Sequence, residues 1–406
     1  MSNLAAPRLA LAATRARLAV MPAVVVAGAR QTGKSTLARE LLADGRRYVT
    51  LDDLDVRDAA HNDPEVLVGG TGPVTIDEIQ RAPDLLHAIK RAIDRDRVPG
   101  RFLLTGSANL LLMHRVSETL AGRASYLTLW PMTRREQAGL GACGPWEQLL
   151  EVPDDEWPSL LASAGGSAEP WQEAARRGGF PTPALHLRSD AERAIWHDGY
   201  ASTYLERDLR DLGSVASLPD FRRLMRAAAL RLGQLVNQSE LARDCGLAQA
   251  TAHRWLNLLE ASFMLVRVPS YAVNRTKRLV KAPKLYWGDT ALALHVSGGE
   301  PKGAHLENLV LLDLLAWRDS RLAAAEICGW RTTSGEEVDF VIESGDRLLP
   351  IEVKATTRPS LADARHLRAF RAEYGDRSRA GLLLHAGTDI FWLTPDVLAA
   401  PWWVLV

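Results

Sequence analysis

The chain has 406 residues, which at about 150 residues per domain predicts two or three domains. Hydrophobic residues make up 47% and charged residues 24%, so the chain can bury real cores and is not disordered. Its 49 basic residues balance 49 acidic ones, so the net charge excludes an overall electrostatic attraction to nucleic acid or to a membrane surface. Any basic surface must therefore be local.

The compartment follows from cysteine usage and from the apolar runs. Three cysteines lie far apart, which excludes a disulfide framework and a thiolate zinc site and favours a reducing environment. The longest apolar run, 18–29, contains Pro22 and is too short to span a bilayer. No signal-peptide pattern precedes the first motif. We expect a soluble cytoplasmic protein that makes no membrane contact.

The first motif follows a short apolar run at 23–27, which predicts a buried parallel strand. GxxxxGK[ST] and a helical pattern come next, the strand–loop–helix context of a phosphate-binding loop. In such a loop backbone N–H groups wrap the phosphates, Lys34 reaches the β- and γ-phosphate oxygens, and Ser35 holds Mg²⁺. The predicted ATP-binding residues are Gly28, Ala29, Arg30, Gln31, Thr32, Gly33, Lys34, Ser35 and Thr36.

A second strand-like run, 73–76, ends in two acids. We expect Asp77 to bind the nucleotide site by orienting Mg²⁺ through water, and Glu78 to polarise the attacking water. An acidic strand end without a metal role is the alternative. The presence of both acids favours hydrolysis over nucleotide binding alone.

Six segments together resemble a large prokaryotic family of AAA-type P-loop ATPases that carry a C-terminal domain of unknown function. The resemblance covers nearly the whole chain and implies an ATPase that uses ATP and Mg²⁺. The last two segments show no clear chemistry, and we expect them in a helical lid or a subunit contact. The segments are GARQTGKS (28–35), TIDEIQ (75–80), LLTGSANLLL (103–112), LAGR (120–123), GGFP (178–181) and TYLERDL (203–209).

The resemblance assigns two further roles in the ATPase. A polar residue at the end of a third predicted strand, 101–105, senses the γ-phosphate in such ATPases; Ser107 is our candidate, with Thr105 as the other choice and a helix N-cap as the alternative role. Gly122 predicts a helix end, and Arg123 stands where AAA-type ATPases often carry an arginine finger for a neighbouring subunit. An ordinary surface arginine is the alternative. An arginine finger implies a homo-oligomeric ring.

The segment 216–290 predicts a winged helix. Three helical patterns, of which the last runs over 248–262, are followed by strand-like runs at 264–268 and 284–287. Between 267 and 284 six basic residues occur without an acid, which favours contact with a phosphate backbone. Protein contact or a solvated charged face is the alternative. The predicted DNA contacts are Arg254, Arg275, Lys277, Arg278 and Lys281.

The C-terminal segment predicts a β-hairpin with acids on one face. If residues 344–347 form its loop, Asp339 lies opposite Glu352, with facing Cβ atoms about 5 Å apart. Two carboxylates so placed repel each other unless a cation lies between them, and Lys354 shares the face of Glu352. An exposed acidic–basic pair is the alternative.

This hairpin resembles the PD-(D/E)XK nuclease core. The resemblance implies that Asp339 and Glu352 bind Mg²⁺, that Lys354 assists the attacking water, and that Glu307 on a preceding helix supports the metal. A helix and a strand should follow the lysine, at 361–374 and 381–385. Domains of this kind often keep the fold for binding only, so cleavage stays open.

We therefore predict an α/β protein: a P-loop AAA-type ATPase core (1–135), a helical lid or linker region (136–215), a winged helix-turn-helix (216–290) and a restriction-endonuclease-like α/β domain (291–406). The expected function is that of an oligomeric DNA-dependent ATPase that moves or remodels duplex or branched DNA in repair, recombination or defence. One alternative is an ATP-stimulated, Mg²⁺-dependent DNA nuclease. The other is a nucleotide-dependent switch that acts on a protein partner, of toxin–antitoxin or signalling type.

Overall fold

The computed structural model describes residues 6–43, 45–107, 119–203, 217–274, 278 and 281–406. No helix in these ranges is long and apolar enough to cross a membrane. The helices are α1 (Leu9–Leu18), α2 (Lys34–Thr36, continued by a π-helical turn at Leu37–Leu41), α3 (Leu54–Asn62), α4 (Pro64–Val68), α5 (Leu85–Arg95), α6 (Arg134–Gln137), α7 (Trp146–Glu151), α8 (Trp157–Ser163), α9 (Trp171–Arg177), α10 (Pro181–Leu185), α11 (Asp190–Thr203), α12 (Leu218–Leu230), α13 (Gln238–Asp244), α14 (Gln249–Ala261), α15 (Thr290–Ser297), α16 (Gly303–Ser320), α17 (Arg365–Tyr374) and α18 (Trp402–Leu405). The strands are β1 (Ala23–Gly28), β2 (Arg47–Thr50), β3 (Val74–Asp77), β4 (Phe102–Ser107), β5 (Ala124–Thr128), β6 (Leu265–Val268), β7 (Lys284–Trp287), β8 (Glu326–Arg331), β9 (Glu337–Ser344), β10 (Arg347–Lys354), β11 (Gly381–His385), β12 (Phe391–Thr394) and β13 (Val397–Pro401).

The N-terminal sheet has the strand order β2–β3–β4–β1–β5, and its neighbouring strands are parallel. Every residue of β1 is buried, as an uninterrupted apolar run predicts for a strand covered on both faces. Parallel strands place their carboxyl ends on one edge of the sheet. That edge therefore gathers the loop after β1, the acid pair after β3 and the end of β4.

The GGFP turn at 178–181 joins the ATPase core to the middle of the chain. Gly178 has φ +66°, and a Cβ added to it would lie 2.8 Å from the Asp289 carboxylate. Gly179 donates its N–H to that carboxylate at 2.7 Å, and its carbonyl accepts the N–H of Met132 at 2.6 Å. Asp289 also caps α15 by accepting the N–H of Leu292 at 2.8 Å. The turn has no room for larger residues because three segments meet on it.

Helices α12, α13 and α14 and the antiparallel pair β6–β7 occupy the segment in which the sequence predicts a winged helix. Helix α14 buries Ala252, Trp255, Leu256 and Leu259 along one stripe, which fixes its orientation against the core. Its first turns leave exposed side chains on the opposite face. These are Gln249, His253 and Arg254.

The C-terminal sheet has the order β12–β13–β11–β10–β9–β8. Strands β9 and β10 pair antiparallel around a turn at 345–346, with Ser344 opposite Arg347 and Phe340 opposite Ile351. This is the register that the alternation of apolar residues predicts. Helix α16 precedes the hairpin. Helix α17 follows it and begins four residues after the predicted start at 361, and β11 has the bounds predicted for the strand at 381–385.

One hydrophobic core runs from the middle helices into the C-terminal sheet. It includes Phe221, Trp255, Trp287, Phe340 and Ile351, all of them buried. The middle and C-terminal segments therefore share one hydrophobic core and do not form two independently packed domains. Strand β7 is thereby held against the C-terminal sheet.

Candidate functional site

The phosphate-binding loop leaves β1 at Gly28 and ends at α2. A Cβ on Gly28 would lie 2.4 Å from the carbonyl oxygen of Leu129, and Gly33 has φ +91°, so both positions require glycine. The Lys34 ammonium is buried and donates to the carbonyl oxygens of Gly28 at 3.1 Å and Ala29 at 2.7 Å. The lysine thus lies folded over the inside of the loop, where its bonds can be exchanged for phosphate oxygens.

The loop opens into a cleft of about 320 Å³ that also contains Glu78. The loop and helix residues that line it all belong to the predicted ATP-binding set, whereas Gly28, Ala29 and Thr32 form the loop behind it. Because backbone N–H groups, an ammonium, a hydroxyl and a carboxylate meet here, the cleft fits the phosphates of a nucleotide with Mg²⁺. Its lining residues are Arg30, Gln31, Gly33, Lys34, Ser35, Thr36, Asp52, Glu78 and Arg81.

Asp77 is held by two hydroxyl groups at the end of β3. Its side chain is buried, with one oxygen accepting from Thr105 and the other accepting from the Tyr48 hydroxyl at 2.7 Å. Burial and the neighbouring Asp77 carboxylate raise the pKa of Tyr48, which therefore stays a donor. Thr105, our second candidate for a γ-phosphate sensor, lies under the acid pair. Ser107 ends β4, and its side chain lies outside the described residues, so the sensor assignment stays a prediction.

Glu78 lies in the left-handed region, with φ 60° and ψ 44°. A non-glycine residue in this region is strained, and such strain is concentrated at functional sites. The Glu78 N–H donates to the Thr105 hydroxyl at 3.3 Å, and its carboxylate accepts from the amide of Gln80. These contacts direct the carboxylate into the cleft. The sequence offered no signal for Tyr48, because its partner Asp77 lies on a strand that is distant in sequence, whereas Gln80 ends the TIDEIQ segment.

A second cavity of about 330 Å³ adjoins the other side of the loop. Gly33 and Thr36 line it together with Pro181 and His186 from the segment after the GGFP turn. Buried Arg8 closes one wall by donating to the carbonyl oxygens of Thr32 and Trp130, both at 2.7 Å. The cavity therefore shares Gly33 and Thr36 of the loop and its helix with the first cleft. Sequence reasoning missed Arg8, which stands in no motif.

Arg123 lies at the edge of the sheet opposite the phosphate loop. Its carbonyl accepts the N–H of Ala23, the first residue of β1, whereas the loop begins at the last residue, roughly 16 Å away. The guanidinium pairs with Asp94 at 2.5 Å and donates to the carbonyl oxygen of Ala121 at 3.0 Å. Arg123 therefore does not reach the cleft of its own chain. If Arg123 is an arginine finger, it acts on the nucleotide bound to a neighbouring subunit.

The predicted nuclease residues are brought together at the C-terminal hairpin. The Lys354 ammonium lies 2.5 Å from one carboxylate oxygen of Glu352, and the Asp339 carboxylate accepts the N–H of Val353 at 3.0 Å. Burial raises the pKa of Glu307, and the charge of Asp339 raises it further. The same two causes raise the pKa of Glu352. Burial and mutual repulsion therefore oppose the simultaneous ionisation of Glu307, Asp339 and Glu352.

Two side chains of β7, Lys284 and Tyr286, enter this cluster. The Lys284 ammonium lies 2.9 Å from Asp339 and 2.5 Å from Glu337, and the Tyr286 hydroxyl donates to Glu307 at 2.9 Å. Within the described residues no set of three His, Cys, Asp or Glu side chains is placed to hold a metal ion. The metal assignment of Glu307, Asp339 and Glu352 therefore stays a prediction, and the present geometry does not fit a divalent ion.

The basic segment differs from its sequence-based interpretation. Arg278 was predicted to contact DNA, but it is 5% exposed and its guanidinium lies 2.6 Å from both Glu326 and Glu343, so this prediction is wrong for the arrangement observed. The two acids come from β8 and β9, distant in sequence. Arg254 and Lys281 are exposed. Arg275 and Lys277 lie outside the described residues.

Comparison with family models divides the chain into three matches. Residues 21–138 match the family described as AAA domain, 168–303 match a domain of unknown function (DUF8612), and 302–405 match a domain of unknown function (DUF4143). The first match covers the parallel sheet and its cleft. The N-terminal part is therefore an AAA-type P-loop ATPase domain, which supports nucleotide hydrolysis and confirms that part of the prediction.

Two curated relatives match along most of their length. The chain is 34% identical over 404 residues to the uncharacterized protein Rv2008c of Mycobacterium tuberculosis and to the uncharacterized protein Mb2031c of Mycobacterium bovis, covering 96% of this chain and 82% of each relative. A solved structure, the Walker-type ATPase paby2304 of Pyrococcus abyssi, is 16% identical and covers 72% of this chain and 96% of that chain, with a TM-score of 0.45, too low to add weight. The chain belongs to the family of these two mycobacterial proteins, with an AAA-type ATPase domain at its N-terminal end.

Proposed function

We propose that the protein is an oligomeric, DNA-dependent ATPase in which nucleotide turnover remodels duplex or branched DNA. The observation that carries this proposal is contact between the phosphate loop and the middle helices. The Tyr200 hydroxyl on α11 donates to the carbonyl oxygen of Arg30 at 3.4 Å, and Pro181 and His186 line the cavity beside the loop. In this proposal a change in the nucleotide is passed to α11 through this contact.

In this proposal the hydrolytic roles follow the cleft. Lys34 exchanges its loop carbonyls for β- and γ-phosphate oxygens. Ser35 would hold Mg²⁺ and Asp77 would orient it through water, and the ion would supply neutralisation of the phosphate charge. Glu78 orients a water and accepts its proton. The Gln80 amide donates to the Glu78 carboxylate, and the Thr105 hydroxyl accepts the Glu78 backbone N–H. Ser107 contributes at the γ-phosphate from the end of β4.

The proposed DNA surface is the exposed face at the start of α14 together with Lys281. Gln249, His253 and Arg254 project from the first turns of that helix, where a recognition helix places its contacts. His253 is oriented by a 2.8 Å hydrogen bond to Gln238 on α13. Amide, imidazole and guanidinium groups suit both base edges and phosphates.

DNA should raise the ATPase rate, and the rise should fade with salt because phosphate contacts release counterions. The measurement compares the full chain with Mg²⁺ and no DNA, single strands, duplex and four-way junctions at about 50 and about 200 mM salt. Replacing Arg254→Ala together with Lys281→Ala should lower the slope of log affinity against log salt by about 2.

The charge-matched control is Arg91→Ala with Arg95→Ala, two exposed arginines on α5 of the ATPase core. It should keep the parent's salt slope. ATP turnover indifferent to every DNA, with no DNA binding at the lower salt, would reject DNA dependence and favour a nucleotide-dependent switch that acts on a protein.

A second candidate function is ATP-stimulated and Mg²⁺-dependent DNA cleavage, supported by the position of Glu307, Asp339, Glu352 and Lys354 in one cluster. It would require these acids to rearrange before they could hold a divalent ion. If the site cuts, Lys354→Ala should abolish cleavage products because the ammonium no longer assists the attacking water. The ATPase rate should stay at the parent's value, which makes hydrolysis the internal control. Cleavage products unchanged in the variant would dismiss this function for the site.

A further inference from the structure

Arg8 ties the phosphate-binding loop to two other segments of the ATPase domain. Its side chain is buried, and its two terminal nitrogens donate to the carbonyl oxygens of Thr32 in the loop and of Trp130 after β5, both at 2.7 Å. Its Nε donates to the Glu136 carboxylate on α6 at 3.1 Å. Because a guanidinium is planar and directs its N–H groups along fixed lines, partners in three directions fix its orientation.

Glu136 is itself held on both carboxylate oxygens. The oxygen that accepts from Arg8 also accepts the N–H of Leu9 at 2.6 Å, and the other accepts the N–H of Thr133 at 2.9 Å. The second of these bonds belongs to the capping box at the start of α6, and Glu136 is buried. A charged hydrogen bond to an acid fixed in this way anchors the arginine. The position of Arg8 is thus set by α6 as well as by the loop.

The contact with the loop falls on the peptide that joins Thr32 to Gly33. In a trans peptide the carbonyl and the N–H point in opposite directions. Since the carbonyl is turned to Arg8, the Gly33 N–H faces away from the guanidinium, and Gly33 lines the cleft that also contains Lys34 and Glu78. No acceptor for this N–H lies among the residues that the structure describes. It is therefore open to a phosphate oxygen, the ligand that backbone N–H groups of such loops bind.

We propose that Arg8 is a positioning residue for ATP hydrolysis, which holds the Thr32–Gly33 peptide so that the Gly33 N–H is directed at the phosphates of ATP. The charged hydrogen bond to the carbonyl also polarises the peptide, which makes its N–H a stronger donor. Since the donor is in place before ATP arrives, less ordering is needed when the nucleotide binds. The inference rests on the ATP-hydrolysing part of the proposed function and requires neither DNA nor the C-terminal cluster.

The test is Arg8→Met, which keeps an unbranched side chain and removes all three N–H contacts. Calorimetric titration of the nucleotide-free full chain with a non-hydrolysable ATP analogue and Mg²⁺ should give a Kd raised by about tenfold or more, because a donor to a charged phosphate is misplaced. Inorganic tripolyphosphate, which has no base or sugar, should lose affinity by the same factor. At saturating ATP, kcat should change by less than Kd, the opposite of the split that loss of the Glu78 carboxylate should give.

Arg135→Met is the matched control. Arg135 is also a buried arginine, and it donates to the carbonyl oxygens of Ala164 and Gly165, both at 2.9 Å. Its partners lie outside the phosphate loop, so the variant loses a guanidinium of the same kind without releasing the Thr32–Gly33 peptide. It should bind the analogue and tripolyphosphate as the parent does, and thermal unfolding compares the loss of Tm in the two variants.

Arg8→Lys carries the test if Arg8→Met does not fold. The ammonium retains the charge but cannot direct its donors to Thr32, Trp130 and Glu136 as the planar guanidinium does. We expect its Kd for the analogue to be at least about threefold above that of the parent. This measurement separates positioning of the loop from simple attraction between a positive charge and phosphate, which the lysine preserves.

Two kinds of result would overturn the inference, and they differ in what they say about the ATPase. If folded Arg8→Met or Arg8→Lys binds both ligands as the parent does, or if Arg135→Met loses as much affinity as Arg8→Met, Arg8 does not position the loop, yet ATP binding stands. If the parent binds neither the analogue nor tripolyphosphate, the phosphate-binding assignment and the role of Arg8 both fail.

Discussion

Glu78→Gln is expected to lower kcat for ATP hydrolysis by about 100-fold or more, while ATP still binds. The amide has the shape of the carboxylate and can keep a hydrogen bond with Gln80, but it cannot take a proton from the attacking water. Lys34 and Ser35 are untouched, so the phosphates keep their contacts. Steady-state hydrolysis and equilibrium binding of a fluorescent ATP analogue, measured on the same preparation, separate the two effects.

The matched control for this variant is Glu65→Gln. Glu65 pairs with Arg91 at 3.0 Å on the surface of the same domain, away from the cleft. It should hydrolyse ATP at the parent's rate. Hydrolysis by Glu78→Gln as fast as by the parent would mean that the water is activated elsewhere, and loss of ATP binding would point to a damaged cleft rather than to a missing base.

Arg123→Ala is expected to reduce kcat on the order of 10³-fold if the protein works as a ring in which Arg123 serves the next subunit. Its position at the far edge of the sheet, paired with Asp94, leaves no route to its own nucleotide. Each chain should therefore still bind ATP normally. Arg97→Ala is the control, because Arg97 donates to the carbonyl oxygen of Gly122 at 2.8 Å and lies beside Arg123 without the predicted role.

Mixing two inactive variants makes this prediction specific. Glu78→Gln retains the arginine but cannot hydrolyse, and Arg123→Ala retains an intact cleft but lacks the arginine. An interface that joins the cleft of the second to the arginine of the first is complete, so the mixture should regain activity that neither variant shows alone. Arg123→Ala at the parent's rate would identify Arg123 as an ordinary surface residue. An inactive mixture would place its effect within one chain.

The local parts of both sites follow from the sequence because short-range chemistry specifies them. A phosphate-binding loop at the edge of the sheet is predicted by local patterns alone. These patterns are the apolar run before Gly28, the glycines of the loop and the two acids at the end of β3. The hairpin register, which sets Asp339 near Glu352, follows equally from alternation, since a slip by one residue would turn every side chain to the other face. Helix α14 is predicted to within a residue at each end by its apolar stripe.

What surrounds these motifs was decided by tertiary structure. Tyr48 on Asp77, Arg8 behind the phosphate loop and Lys284 in the acidic cluster each join segments that are distant in sequence. Arg278 shows this most clearly. Its own segment contains no acidic residue, but in the fold its guanidinium is buried and pairs with Glu326 of β8 and Glu343 of β9. A sequence pattern records which groups a segment carries, whereas the free energy of a charge depends on what the fold places within a few ångströms of it. The sequence alone therefore determined that this protein has an ATP-binding strand edge and an acidic hairpin, and only the fold decided which charges remain open to a partner.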